Sequence, residues 1–304
     1  WKGTGPYVIQ NNHLEATGEA VAFGGAIPSI SGVIPSDIYI FGNHFYKPLS
    51  WRKGHSSYAG VPWMVKNHLE FKVGRRIWVM GNLFENIWQA DQYGFAMQFT
   101  VRTENGRVMW NVIEDLVFSN NIVRGAAGGI NILGKDDYNQ KGAVRRVTIS
   151  DNLFEDISHR NWGGYGRFLQ VLNGTEGLRV DHNTVLQTGS MLTMSGVTTG
   201  FVYTNNITAE ATYLFTGGTN HPANSLPQLA PGYTFRRNLI AGGVSSMWPA
   251  DNYFPPSIAS LPFVDVFNGN YTLQLSCPYA KAATDGKAIG VNMTLLRAAL
   301  RAAN

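Results

Sequence analysis

The sequence has one cysteine, little charge and no long apolar run. Cys277 alone can close no intramolecular disulfide and build no cysteine-based zinc site. Charged residues make up 14% of the 304 positions and leave a net charge of +4. No Lys/Arg run marks a nucleic-acid tract, so nucleic acid is not an expected partner. No apolar stretch approaches the roughly 20 residues needed to cross a bilayer. The Gly-x-Ser-x-Gly elbow, the P-loop, the Gly-x-Gly-x-x-Gly turn after a strand and the His-Glu-x-x-His helix are all missing. What remains is a chain rich in glycine (34) and 44% hydrophobic, enough to bury a sizeable core.

What is abundant is a repeat. Short strand-like stretches, "YVIQ", "IYIF", "IWVM", "LVFS", "VTIS", "LRVD", "FVYT" and "YTFR", each precede an asparagine: Asn12, Asn43, Asn82, Asn121, Asn152, Asn183, Asn206 and Asn238. Successive gaps are 31, 39, 39, 31, 31, 23 and 32 residues. A strand–turn unit with such a period signals a solenoid or a propeller. The 23-residue gap is too short for a four-stranded blade of about 40–45 residues and suits one coil of three short strands. About eight coils, stacked at roughly 4.8 Å, would make a rod of about 38 Å. The asparagines are expected at the sharp bends, tolerating left-handed backbone and bonding up and down the column through their amides.

A second strand recurs in each coil: "AVAFGG", "HLEFKVG", "FAMQFTVR", "GINILGK", "RFLQVLNG", "MLTMSG" and "TYLFTGG". Alternation assigns Val21/Phe23, Leu69/Phe71, Met97/Phe99, Ile130/Ile132, Leu169/Val171 and Leu192/Met194 to the core. The opposite parity gives an outer column of Ala22, Glu70, Gln98, Asn131, Gln170 and Thr193. Its charged part comprises His68, Glu70, Lys72, Arg102, Lys135 and Asp137. Connections swell at 44–66, 85–94 and 155–166 before this strand, and at 103–115 and 135–146 after it. They carry Trp51, Trp63, Trp88, Tyr93, Trp110, Tyr138, Trp162 and Tyr165. Long loops are costly to order and often functional. Aromatic faces beside polar groups suit sugar rings. These loops are expected to wall a groove. Trp51, Trp63, Trp88, Tyr93, Trp110 and Trp162, with Gln98, Asn131, Lys135 and Gln170, are the expected substrate-binding set.

The pattern resembles the right-handed parallel β-helix, the pectate-lyase-like superfamily. "IPSDIYIFGN" with "KPLSW", "GINILGKDD", "DNLFEDI" and the closing "YTLQLSCPYAKAATDGKAIGVN" are similar to secreted bacterial β-helix repeat proteins of unassigned function. The resemblance implies an all-β, single-stranded right-handed parallel β-helix of about eight coils over 1–250. Residues 251–304 are expected as an extended tail with a short helix ("NMTLLRAALRAA") that packs on and caps the rod. It also implies a secreted or cell-surface, carbohydrate-active protein, monomeric or part of a longer multidomain chain. The chain opens directly on the repeat, and an export signal is expected upstream.

Two reactions fit. β-Elimination on a uronic-acid polymer needs a base for the proton α to the carboxylate and cations for the enolate. Lys72 or His68 is the expected base, Arg102 and Lys135 the added cations, and Glu70 the residue that orients Lys72 or holds Ca²⁺. "HLEFKVGR" resembles the Glu-x-Lys strand of chondroitinase-B-like lyases, without that family's Arg-His-Gly companion. Glycoside hydrolysis needs two carboxylates. Asp136 and Asp137, with Glu70 or Asp91, are the candidates. The Asp-Asp pair resembles polygalacturonase-type hydrolases but lacks their Asn-Thr-Asp, Gly-His-Gly and Arg-Ile-Lys companions. A third reading is a non-catalytic glycan-binding or structural rod.

Overall fold

The computed structural model of the chain describes residues 3–138 and 142–301. Twenty-three of its strands form three parallel sheets, visited in turn by each coil. The first sheet holds Tyr7–Gln10, Ser36–Phe41, Gly74–Met80, Val112–Ser119, Ala143–Ser150, Glu176–Asp181, Val202–Thr204 and Thr234–Arg236. The second holds His13–Glu15, His44–Tyr46, Leu83–Ile87, Ile122–Ala126, Leu153–Ile157, Thr184–Gln187, Ile207–Thr208 and Leu239–Ile240. The third holds Val21–Phe23, Leu69–Phe71, Phe95–Thr100, Gly128–Leu133, Arg167–Leu172, Leu192–Met194 and Phe215–Thr216. Every strand lies over its counterpart one coil away. The protein is a single-stranded parallel β-helix with a short C-terminal helix.

The recurring asparagines form one hydrogen-bonded ladder. In each rung the backbone N–H and the side-chain amide both donate to the Oδ1 of the next coil's asparagine, as Asn82 does to Asn121 at 2.9 and 3.0 Å. The amide also donates to the carbonyl two residues back, Met80 in that coil, at 3.1 Å. The ladder runs from Asn12 to Asn252, one rung beyond the last asparagine assigned from the repeat. The left-handed residue is not the asparagine itself but the one before it. Asn11, Gly42, Gly81, Asn120, Asp151, His182, Asn205, Arg237 and Asp251 have φ between 51° and 65°. The preceding residue makes the turn, and this swings the asparagine amide inward onto the carbonyls that the turn exposes.

The interior is close-packed and apolar, with the assigned inward residues from Leu69 to Met194 buried. Stacked phenylalanines run along it: Phe45, Phe84, Phe118 and Phe154 have successive centroids 4.5, 5.8 and 6.3 Å apart. Near the C-terminal end Tyr203 stacks on Phe235 at 5.0 Å, and its buried hydroxyl has no hydrogen-bond partner among the described residues. Burial pushes this phenol's pKa up. Tyr203→Phe removes an unpaired polar atom and keeps the ring. It is expected to leave the melting midpoint unchanged or to raise stability by up to about 1 kcal/mol. A clear loss in a thermal melt would show that the hydroxyl has a partner.

An ion ladder covers the outside of the first sheet. Arg75, Glu114 and Arg145 share one column, and Asp37, Arg76, Asp115 and Arg146 occupy left-handed positions beside it. Glu114 is buried among Arg75 (2.5 Å), Arg146 (2.9 Å) and Arg145 (3.2 Å). Alternating sign from coil to coil favours this register over a slipped one.

The C-terminal segment runs back along the bends between the first and second sheets. Thr284 and Gly290 bond Asn205, Val291 bonds Thr184, and the Tyr271 hydroxyl donates to Glu155 at 2.7 Å. The helix expected over the last rung lies instead on the flank of the middle coils. Met293–Arg301 buries Met293 and Leu296 against Leu153 and Tyr271, and its Ala299 carbonyl abuts Gly81 so closely that a Cβ there would sit 2.8 Å away. Its apolar stripe follows the outward apolar residues Ile122, Leu153 and Leu186 rather than the rod's end. The last rung is covered by Trp248, whose ring lies 5.5 Å from Phe235.

Candidate functional site

The three insertions that precede the third sheet fold over one another. Gln89 takes a hydrogen bond from Gly164 through its side chain (2.8 Å) and donates its backbone N–H to Trp162 (2.9 Å). Trp162 is fixed by its indole N–H on Asp156 at 2.7 Å, and the Arg52 guanidinium lies 4.9 Å over its ring. The result is an open cleft of about 590 Å³ lined by Trp51, Trp63, Trp88 and Trp162 with Arg52, Lys53, Gln89 and Asp91. Trp88 is buried, Trp51 and Trp162 are half-buried, and Trp63 is 46% exposed with its ring 6.5 Å from Trp51. Four of the expected aromatic residues therefore meet at one place.

Tyr93 stands beside them. It packs on Tyr165 at 5.3 Å, and Tyr165 lines a second open cleft of about 480 Å³ with Arg167 and Tyr213. Gly163 belongs to the first cleft and Gly164 to the second, so the two adjoin along the rod. Trp110 does not join either. Its indole N–H donates to the Val33 carbonyl at 3.3 Å and ties one loop to another.

The outer column of the third sheet lies beyond the cleft. Gln170 donates to Asn131 at 2.9 Å, Asn131 to Gln98 at 2.8 Å, and Gln98 to Gln92 of the loop beside Asp91 at 3.3 Å. Arg167 donates to Gln170 at 2.6 Å. Below Gln98 in the same column is Glu70. Glu70 is 7% exposed, with the Lys72 ammonium at 3.2 Å. It also shares a hydrogen bond with Glu19, which Lys66 holds at 3.2 Å. Burial pushes the Glu70 carboxyl above its usual range; Lys72 opposes this and Glu19 adds to it. Glu19 ends below its ordinary value: burial acts to raise it, but hydrogen bonds from its own backbone, Lys66 and Glu70 prevail. The pair can thus share one proton, with Glu70 as its holder. Glu19 has no signal in the sequence, since only the stacking of the first coil on the second brings it to Glu70.

Other candidates fall elsewhere. His68, expected on the outer face, is buried between the rings of Phe45 and Phe84, at 6.3 and 6.1 Å. Burial, then the nearby Lys47 charge, holds its pKa well below the usual value, so it is a neutral core imidazole with no path to a substrate. Asp136 is 1% exposed, and its carboxylate accepts the backbone N–H groups of Thr103 (3.0 Å) and Tyr138 (3.1 Å). It shapes the loop. Asp137 is exposed and pairs with Arg102 at 2.7 Å and Asn173 at 2.7 Å. Lys135 is half-buried at the same exit edge. Of the expected cations, Lys72 pairs with Glu70 at 3.2 Å and Arg102 with Asp137 at 2.7 Å. Lys72 thus pairs with the carboxylate that was expected to orient it or to hold Ca²⁺. Among the described residues no group of three or more His, Cys, Asp or Glu side chains is placed to hold a metal ion together.

No protein-family model matches the chain, and a search of curated proteins returns no match. Among the described residues no helix is long and apolar enough to cross a membrane.

Proposed function

We propose that this chain is a secreted, carbohydrate-active β-helix of the right-handed pectate-lyase-like kind, which binds a polysaccharide in the tryptophan cleft. The observation that carries this reading is the convergence of Trp51, Trp63, Trp88 and Trp162 from three separate insertions on one open cleft. Indole faces stack on sugar rings, and Arg52, Lys53, Gln89 and Asp91 offer hydrogen bonds to their rims. The polymer would continue over the amide column of the third sheet, where Gln98, Asn131 and Gln170 bond one another and keep amide hydrogens for a ligand.

The reaction we assign is elimination, with Glu70, Glu19 and Lys72 as its centre. A base takes the proton α to the uronate carboxylate, the C–C double bond forms, the C–O bond to the leaving sugar breaks, and the departing oxygen takes a proton. A carboxyl pair that shares one proton supplies both an acceptor and a donor, and the Lys72 cation offsets the enolate charge. Hydrolysis by Asp136 and Asp137 is disfavoured by the engagement of Asp136 with two backbone amides.

The test is titration of the purified protein with alginate, pectate, chondroitin, hyaluronan and neutral glucans, followed by tryptophan fluorescence and by ultraviolet absorbance of an unsaturated product. Trp63→Ala is expected to weaken binding about tenfold, equivalent to about 1.4 kcal/mol, with unchanged circular dichroism. Lys72→Ala is expected to abolish the absorbance and leave binding in place. A fluorescence response to none of the polymers would overturn the reading.

A further inference from the structure

A pair of histidines on the second sheet, remote from the proposed chemistry, poses a problem of charge. His13 lies directly over His44, and Tyr46 over Glu85, in neighbouring coils. Alternation turns Leu14 and Phe45 inward and puts the two imidazoles side by side on the outside, 54% and 34% exposed. Their Nδ1 atoms are 3.1 Å apart. Their Nε2 atoms point away from each other, each onto a carboxylate: His13 to Glu15 at 2.9 Å, and His44 to Glu85 at 3.0 Å.

An ionised carboxylate only accepts hydrogen bonds, so each Nε2 carries the hydrogen. In two neutral rings both Nδ1 atoms then hold lone pairs, and these face each other across 3.1 Å. Two lone pairs at that distance repel unless a cation lies between or just above them. At metal–nitrogen bonds of about 2.0–2.1 Å, a separation of 3.1 Å subtends roughly 100° at the ion. That lies between the right angle of an octahedral or square site and the tetrahedral angle. The broad ring torsion of histidine lets both lone pairs turn to one point above the sheet. A carboxylate on the far nitrogen is the arrangement that fixes the tautomer and raises the basicity of a metal-bound histidine. Imidazole nitrogens select Zn²⁺, Cu²⁺ or Ni²⁺ over Ca²⁺ and Mg²⁺.

We propose that His13 and His44 form a two-imidazole site for a divalent transition-metal ion, oriented by Glu15 and Glu85 and completed by water. The site joins the first coil, which no further coil among the described residues covers, to the second. The first-coil residues Tyr7, Ile9, Leu14, Val21 and Phe23 are only partly buried. An ion held by one side chain from each coil would staple them together.

The experiment is calorimetric titration of tag-free, chelator-treated protein with Zn²⁺ alone, beside a thermal melt with and without the ion. One-to-one binding and a raised melting midpoint are expected, with Ca²⁺ producing neither. His13→Gln and His44→Gln should each lose the binding, and Glu85→Gln should weaken it at least tenfold. His55→Gln, whose imidazole bonds Ser57, should bind as the parent does. Cu²⁺ bound to the unaltered chain should show two nitrogen couplings by electron paramagnetic resonance. Absence of saturable Zn²⁺ binding, meaning a pair bridged by a proton only, would overturn the proposal. So would binding that survives in the His13→Gln/His44→Gln double variant.

Discussion

Replacing Asn152 by alanine is expected to lower the unfolding free energy by about 3–5 kcal/mol, a large part of what a folded domain possesses. Asn152 is fully buried and works in both directions. Its Oδ1 accepts the backbone N–H of Asn121 at 2.9 Å and the Asn121 amide at 3.1 Å. Its own amide donates to Phe118 at 2.9 Å and to Asn183 at 2.9 Å. Alanine fills none of these roles and leaves buried donors and acceptors on the two neighbouring coils unpaired. Aspartate would keep the acceptor, lose both donors and bury a charge, so Asn152→Asp should be no better. The exposed first rung supplies the control. Asn12 has the same kind of bonds, but water can replace them, and Asn12→Ala should cost about 1 kcal/mol. Urea unfolding of the three variants checks this. Equal losses at Asn12 and Asn152 would mean that burial, which is the whole of the argument for a large effect, does not set the cost.

That ladder also explains why the fold was legible. An asparagine after each short alternating strand is a local signal repeated in every coil, and a repeat that stacks on itself has few alternatives. The aromatic cleft was legible for a related reason: Trp51, Trp63, Trp88 and Trp162 sit in insertions that precede the same sheet, so stacking must gather them. Parity failed where it was carried past the end of a strand. His68 precedes the strand Leu69–Phe71 and sits in the bend, where its side chain turns inward onto Phe45 and Phe84. Asp136, chosen from the Asp-Asp pair and not by parity, lies beyond Leu133 in a loop that it helps to build. The Glu19–Glu70 pair and the His13–His44 pair depend on which side chains stand one coil apart. The register settles that, and unequal loop lengths hide it in the sequence.

The second large effect is expected at Lys47, a residue that the sequence does not single out. Its side chain is fully buried, and its ammonium donates to the carbonyls of Ala16 (2.6 Å), Gly18 (2.8 Å) and Thr17 (3.2 Å). It thereby pins the turn that delivers Glu19 to Glu70. Methionine keeps the length of the stem and removes every donor, so Lys47→Met strands three carbonyls and should cost about 3 kcal/mol or more. The turn would loosen, Glu19 would leave Glu70, and any activity that depends on the pair would fall with it. The pH dependence has a definite sign. Burial pulls the Lys47 pKa from its ordinary 10.5 down to about 8, with the Glu19 charge opposing. Between those values the unfolded chain holds more protons than the native one, so deprotonation favours the native state. The stability advantage of the parent over Lys47→Met should therefore be flat below about pH 8 and widen from there toward pH 10.5. Parallel denaturation curves across that range measure it. An advantage that shrinks with rising pH would mean that the three carbonyls hold the ammonium more strongly than burial disfavours it, and that Lys47 keeps its charge at the centre of the turn.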